Sequence, residues 1–281
     1  MILEYKEIKY KGKRVFEKLV MTTDFKRMPK YFTKDEACFL FITNGSFQFR
    51  TPTNVLTYSK NEAMLAKCGD YFIEPVSDKE NIKEKTFSAI GAFFYPDIVK
   101  GLFETDLSIQ LFQNNFNVIK VNIEPLMKSF IESIDFLLDN PTVTDENIII
   151  NKLKELLLIL SKSENSTSIN AFVASLFVPH EYDFNEVVQK NIYSDLKIED
   201  FAKLCNCSVS TFKRKFTAYY NESPAKYIST KKLEKATQLL QIKSKPIADI
   251  AYDCGFENVT NFNKAFKRHF GKSPSLYRLS Q

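Results

Sequence analysis

The chain has 281 residues, 44% of them hydrophobic and 26 of them phenylalanine, enough apolar side chain to fill two cores and to exclude a largely disordered protein. Two histidines in the whole chain exclude most chemistry that uses imidazole as base or metal ligand. Charge is unevenly placed, with 17 Lys+Arg against 11 Asp+Glu from Glu181 onward, leaving 22 against 23 for residues 1–180, so the basic C-terminal part is the candidate for a polyanionic partner.

The N-terminal MILEYKEIKYKGKR alternates charged and apolar residues where a signal peptide has an apolar core. No run approaches the roughly 18 apolar residues of a membrane span. The five cysteines, Cys38, Cys68, Cys205, Cys207 and Cys254, are odd in number and scattered, which fits reduced thiols. The expectation is a soluble, cytoplasmic protein with no membrane partner.

From Cys38 to Glu74 the pattern is strand-like. Asn44 and Gly45 between FLFIT and SFQFR predict a hairpin. Further strands are expected at Val55–Tyr58, Ala63–Ala66 and Phe87–Phe94, and many short strands with turns predict a small barrel or jelly roll. Phe39, Phe41, Phe47, Phe49 and Tyr71 form a candidate ligand pocket, with plain core as the competing reading. Glu36, Glu62, Asp70 and Glu74 are available carboxylates, yet residues 1–179 hold no histidine. No metal site, cofactor or catalytic residue is therefore expected.

From Ile123 the period becomes helical. Leu126, Phe130, Ile134 and Leu137, then Ile149, Leu153, Leu156, Leu157 and Leu160, mark an antiparallel helix pair broken near Asn140 and Pro141. Such a pair can pack on the barrel or join a second chain as a homodimer. SKSENSTS, Ser161–Ser168, is polar and aperiodic and suggests the boundary. The expected domains are 1–163, a linker at 164–180, and 181–281, in an α+β class with an all-α C-terminal domain.

That C-terminal part contains a repeat. Ile198, Asp200, Ala202 and Cys205 recur 49 residues later as Ile247, Asp249, Ala251 and Cys254; Phe212, Phe216, Ser223, Pro224 and Tyr227 recur 50 later as Phe262, Phe266, Ser273, Pro274 and Tyr277. Each copy reads as helix, turn, helix. Pro246 suits the first position of a helix, Ser208 and Asn258 are matched N-caps, and Gly255, Asn221 and Gly271 suit left-handed stops. Between the copies lies a helix whose apolar side is Ile228, Leu233, Ala236, Leu239 and Leu240, about 25 Å long at the usual rise.

Opposite the phenylalanines stand Ser210, Lys213, Arg214 and Thr217, and in the same register Thr260, Asn263, Lys264 and Lys267. These residue types suit base edges and phosphates, and carboxylates are nearly absent. Cys205 and Cys254 share a repeat position and read as core, and His269 as a surface residue near phosphate. With A-x-x-x-G-F, F-x-x-x-F-K and G-x-S-P-x-x-Y-R in its second copy, the stretch from about Tyr182 resembles the DNA-binding domain of the AraC/XylS family of bacterial transcription regulators. The first half resembles the cupin-like regulatory domain that often precedes it, and RTPTNVLTYSKNEAMLAKCGDY resembles the regulatory half of the type III secretion activators.

The resemblance implies base contacts at Ser210, Thr211, Lys213 and Arg214, and at Val259, Thr260, Asn261, Asn263 and Lys264. It also implies double-stranded DNA and RNA polymerase as partners, activation as the sign, and control by a small-molecule effector or a regulatory protein. Two departures from the family pattern are Lys197 before the first scaffold helix and the apolar Val259. The rival reading is a cupin-type metal enzyme fused to a DNA-binding domain.

Overall fold

The computed structural model describes residues 2–29, 36–67, 69, 71–76, 86–103, 118–163, 169–177 and 182–280. It divides into two units, Met1–Thr51 with Val55–Glu181, and Pro52–Asn54 with Tyr182–Gln281.

The first unit begins with β1 (Ile2–Tyr10) and β2 (Lys13–Thr22), an antiparallel hairpin closed by Lys11 and Gly12, both at positive φ. There follow β3 (Met28–Pro29), β4 (Ala37–Asn44), β5 (Ser46–Arg50), β6 (Val55–Ser59), β7 (Ala63–Ala66), β8 (Phe72–Pro75), β9 (Thr86–Phe94), helix α1 (Pro96–Phe103) and β10 (Val118–Val121). They form a six-stranded sheet in the order β1-β2-β9-β4-β7-β10 and a four-stranded sheet in the order β3-β8-β5-β6, antiparallel throughout. The expected strands at 55–58, 63–66 and 87–94 are present.

The hairpin expected at Asn44–Gly45 is corrected. β4 pairs with β9 and β7, whereas β5 pairs with β6 and β8, so this turn carries the chain from one sheet to the other. Gly45 takes φ +76°, and a Cβ there would lie 2.6 Å from the Thr86 carbonyl oxygen. The local signal for a tight turn was sound; both edges of each strand had been claimed by other partners.

Helices α2 (Pro125–Asp139) and α3 (Glu146–Ser163) flank a short 3-10 turn at Pro141–Val143, as the break near Asn140 predicts. α2 packs on β1, β2 and α3. Its inward side is Met127, Phe130, Ile131, Ile134, Leu137 and Leu138, while Leu126, expected inside, is 60% exposed. Lys18 on β2 meets Asp135 at 2.7 Å, and Lys6 on β1 meets Asp139 at 2.8 Å, so charge as well as apolar area seats the helix. Within the stretch expected to be linker, α4 (Ile169–Leu176) buries Phe172, Val173 and Leu176 in the core of the first unit. The polar run at 164–168 lies outside the described residues.

From Phe184 the regular elements of the second unit are all helices: α5 (Phe184–Asn191), α6 (Ile198–Leu204), α7 (Val209–Tyr220), α8 (Pro224–Leu240), α9 (Ile247–Asp253), α10 (Val259–Phe270) and α11 (Pro274–Leu279). α8 packs against α7, α9, α10 and α11. Phe212, Phe216, Phe262 and Phe266 are all fully buried, and each such ring contributes about 2–3 kcal/mol.

Candidate nucleic-acid interface

The two helix-turn-helix units match nearly residue by residue. α6 and α9 have seven residues each and end at Cys205 and Cys254, whose φ and ψ agree within a few degrees: −85°, 8° and −87°, 2°. The chain then reverses through Asn206 at φ +48° and Gly255 at φ +77°. The amides of Cys207 and Phe256 donate back to Ala202 and Ala251, both at 3.0 Å, closing the same helix-ending bond. Glu257 is the residue gained in the second turn. Pro246 sits one place earlier than expected, as the residue before α9.

Recognition helices α7 and α10 have twelve residues each. The Ser208 and Asn258 side chains accept from the amides of Thr211 and Asn261, and left-handed Asn221 and Gly271 donate to Thr217 and Lys267. Such capping holds both ends of a short helix that in isolation would fray. Phenylalanines at four-residue spacing turn one side of each inward, so the opposite side is presented outward by necessity. Ser210, Lys213, Arg214 and Thr217 are exposed on α7, and Thr260, Asn261, Asn263, Lys264 and Lys267 on α10.

Two of the expected contact residues differ from the rest. Val259 is half-buried against the second core, with Phe262 and Phe266. Thr211 is half-buried, and its hydroxyl accepts from Ser208 at 2.9 Å. Neither side chain is as exposed as its neighbours, and the exposed Ser210 hydroxyl also lies 2.9 Å from that of Ser208.

Among the described residues, Lys213, Arg214, Lys215, Lys264, Lys267 and Arg268 have no carboxylate within ion-pair distance, and neither α7 nor α10 contains Asp or Glu. Elsewhere in the unit Lys226 pairs with Glu222 at 2.7 Å, Lys231 with Glu234 at 2.8 Å, and Lys245 with Asp253. Three uncompensated cations on each recognition helix, two of them on its outward face, make a positive surface suited to phosphates.

The thiols are placed as expected for core. Cys254 is fully buried and Cys205 partly so, and burial pushes their pKa values up, to about 11 and about 12. A thiolate is thereby disfavoured. His269 is exposed in the last turn of α10, edge-on to Phe270; His180 lies outside the described residues.

In the first unit Phe39, Phe41, Phe47, Phe49 and Tyr71 are all buried. Phe47 meets Phe87, and Phe49 meets Tyr71, each at 5.0 Å between centroids, so the rings pack on one another. The carboxylates named from sequence do not converge. Glu74 takes a bidentate pair from Arg50 at 2.8 and 2.9 Å, Glu36 lies 3.5 Å from Arg14, and Glu62 pairs with Lys120. Asp70 and Cys68 are outside the described residues. Among those described, no group of three or more His, Cys, Asp or Glu is placed to hold a metal ion, and no helix is long and apolar enough to cross a membrane.

Sequence reasoning missed Lys232, which is buried in the middle of α8. The available signal was its place in the apolar run Ile228, Lys232, Ala236, Leu240 at four-residue spacing.

Two helix-turn-helix units served by one connecting helix define the class of this protein as a double helix-turn-helix protein with an appended antiparallel domain. A family model described as a helix-turn-helix domain matches residues 201–280, and one described as the ExsA N-terminal regulatory domain matches residues 37–172. The thermoregulatory protein LcrF of Yersinia pestis is 29% identical over 163 residues, 57% of this chain and 59% of that protein. The HTH-type transcriptional regulator ExsA of Pseudomonas aeruginosa is 29% identical over 127 residues, 45% of this chain and 46% of that protein. The chain thus spans less than two thirds of the length of the curated relatives it matches. A solved structure of ToxT from Vibrio cholerae matches 94% of this chain and 98% of its own, at 17% identity and a TM-score of 0.37. The chain thus carries an AraC-type helix-turn-helix domain behind a domain of the ExsA N-terminal regulatory type, and the relatives it matches are AraC-family transcription regulators.

Proposed function

We propose that this chain is a sequence-specific, double-stranded DNA-binding regulator that activates transcription, reading two successive major grooves with α7 and α10. The observation that carries the reading is the repetition, in one register, of an exposed carboxylate-free face, Ser210, Lys213, Arg214 and Thr217 on α7 and Thr260, Asn263, Lys264 and Lys267 on α10, with two uncompensated cations in each. Arg214, Lys213 and Lys264 are suited to guanine O6 and N7, Asn261 and Asn263 to adenine, and Lys267 to phosphate. Ser210, Thr217 and Thr260 suit either phosphates or thymine methyls. Thr211 and Val259 take part through the backbone and the packing of the helix start. Activation, with RNA polymerase as the further partner, is supported by the description of the relative VirF of Yersinia enterocolitica as a virulence regulon transcriptional activator, 29% identical over 163 residues.

The first unit acts as the controlling domain, answering a small-molecule effector or a regulatory protein, and is not an enzyme. An effector inside it has to open space among Phe39, Phe41, Phe47, Phe49 and Tyr71, because those rings already fill the core. A homodimer is proposed through the helical pair, where Leu126, Phe136, Val143 and Leu158 are 44–61% exposed. The reading places the protein in the cytoplasm, beside its DNA.

The test is a gel-shift titration of the full chain, at physiological ionic strength, against duplexes it has selected from a random-sequence pool and against their scrambled versions. The expected preference is about a thousandfold or more. Equal affinity for all duplexes refutes the reading. Stoichiometric metal accompanied by turnover would instead favour the metal-enzyme alternative.

A further inference from the structure

Among the described residues of the second unit, Lys232 is the one charged side chain that is buried, at 9% exposure. Its Nζ donates to the carbonyl oxygens of Ser194 at 2.6 Å and Gly255 at 2.7 Å. Ser194 lies between α5 and α6, at the entrance to the first helix-turn-helix; Gly255 is in the turn between α9 and α10 of the second. One ammonium on the connecting helix therefore holds a backbone atom of each unit.

The two backbone segments are also pressed together. A Cβ built on Gly255 would fall 2.2 Å from the Tyr193 carbonyl oxygen and 2.5 Å from that of Ser194. One helical turn along α8, Lys235 donates to the Asp253 carbonyl at 2.8 Å, with its ammonium 4.2 Å from the Tyr193 ring centroid. The Lys232 ammonium also lies 5.8 Å from the Phe256 ring centroid.

A desolvated cation is a costly way to fill this space, and an apolar side chain of the same length would fill it at less cost. What an apolar chain cannot supply is direction. Two short charge-assisted bonds fix where the Ser194 and Gly255 carbonyls stand relative to each other. Each carbonyl is rigidly joined to its own recognition helix, the first through α6 and the second through the turn that leads into α10.

We infer that Lys232 is a positioning residue that sets the mutual placement of α7 and α10, and through it the spacing between half-sites that the domain accepts. The inference rests on the DNA-binding reading for its consequence, though not for its geometry. Adding one base pair between half-sites rotates the second by about 35° around the duplex axis, so a rigid pair of helices resists it and a loosened pair tolerates it.

The experiment compares the full-length wild type, Lys232→Met and Lys232→Arg. The probes are a bipartite duplex selected from a random-sequence pool by the wild type, the same duplex with one, two or five base pairs inserted between half-sites, and a single half-site. The wild type should lose about tenfold or more per disruptive insertion. Lys232→Met should bind the whole series within about threefold while matching the wild type on the single half-site, and Lys232→Arg should restore discrimination. A wild-type spacing profile in Lys232→Met overturns the inference.

Hydrogen exchange on the same proteins without DNA gives an independent readout. Lys232→Met should speed exchange of amides at 193–197 and 254–257 by about tenfold or more, leaving the interiors of α7 and α10 protected. No local change, or a uniform acceleration across the unit, overturns the clamp. If Lys232→Met does not fold, Lys232→Gln, which keeps one donor group, takes its place. If the wild type selects no duplex, the DNA-binding reading falls and the exchange pattern alone judges the clamp.

Discussion

Replacing Gly255 by alanine isolates the tightest backbone approach in the second unit. At φ +77° an L-residue loses about 1 kcal/mol relative to glycine. The new methyl would sit 2.2 Å from the Tyr193 carbonyl oxygen and 2.5 Å from that of Ser194, so backbone must retreat by about 1 Å to reach ordinary contact. Retreat of the Ser194 carbonyl lengthens its 2.6 Å bond from Lys232, and a hydrogen bond to a charged group contributes about 1.5–3 kcal/mol. The expected total is about 2.5–4 kcal/mol. Gly271→Ala is the control, because its φ is +75° with nothing within 4 Å of a Cβ, so the loss there should stay near 1 kcal/mol. Urea unfolding of the full chain followed by far-ultraviolet circular dichroism measures both, taking the helical transition for the second unit. Losses agreeing within about 0.5 kcal/mol would refute the contact argument and leave only the left-handed backbone as the cause.

Arg214→Ala should weaken binding at selected sites by about 1–3 kcal/mol and relax base choice there, with random duplex much less affected; equal losses on both count against base contact. Lys267→Ala should weaken all duplexes similarly and reduce the slope of log affinity against log salt by about 0.9, which a salt titration reads directly. Phe266→Ala, emptying a fully buried ring site, should cost about 3–5 kcal/mol by urea unfolding. Burial lowers the Lys232 pKa to about 8, below its unfolded value, so between about pH 8 and pH 10.5 the unfolded chain binds more protons and stability rises with pH across that window. That rise, up to about 3 kcal/mol, should be missing from Lys232→Met when the two proteins are unfolded in parallel from pH 7 to pH 10.5. Sedimentation of the wild type and Phe136→Glu checks the dimer: one shared monomeric profile removes it.

The sequence by itself determined what is decided within a turn or two of the chain. Ser208 and Asn258 cap, Asn221 and Gly271 stop, and the phenylalanines at four-residue spacing assign an inner and an outer face to each recognition helix. All of these are local interactions, which is why the repeat and its cationic faces are legible in the sequence at 49- and 50-residue offsets. The break at Asn140–Pro141 was legible for the same reason. Tertiary structure alone decided which partners meet across long separations. Asn44–Gly45 carries every local mark of a hairpin, yet β4 and β5 enter different sheets, because pairing depends on the edges offered by β7 and β9 or by β6 and β8. Leu126 keeps the helical period but stands exposed in the first turn of α2, and Met127 is buried in its place. The capping signals of α7 and α10 say nothing of how the two helices are held together. That falls to Lys232, whose carbonyl partners lie 38 residues before and 23 after it, and whose burial in an apolar stripe has meaning only once both backbones have arrived.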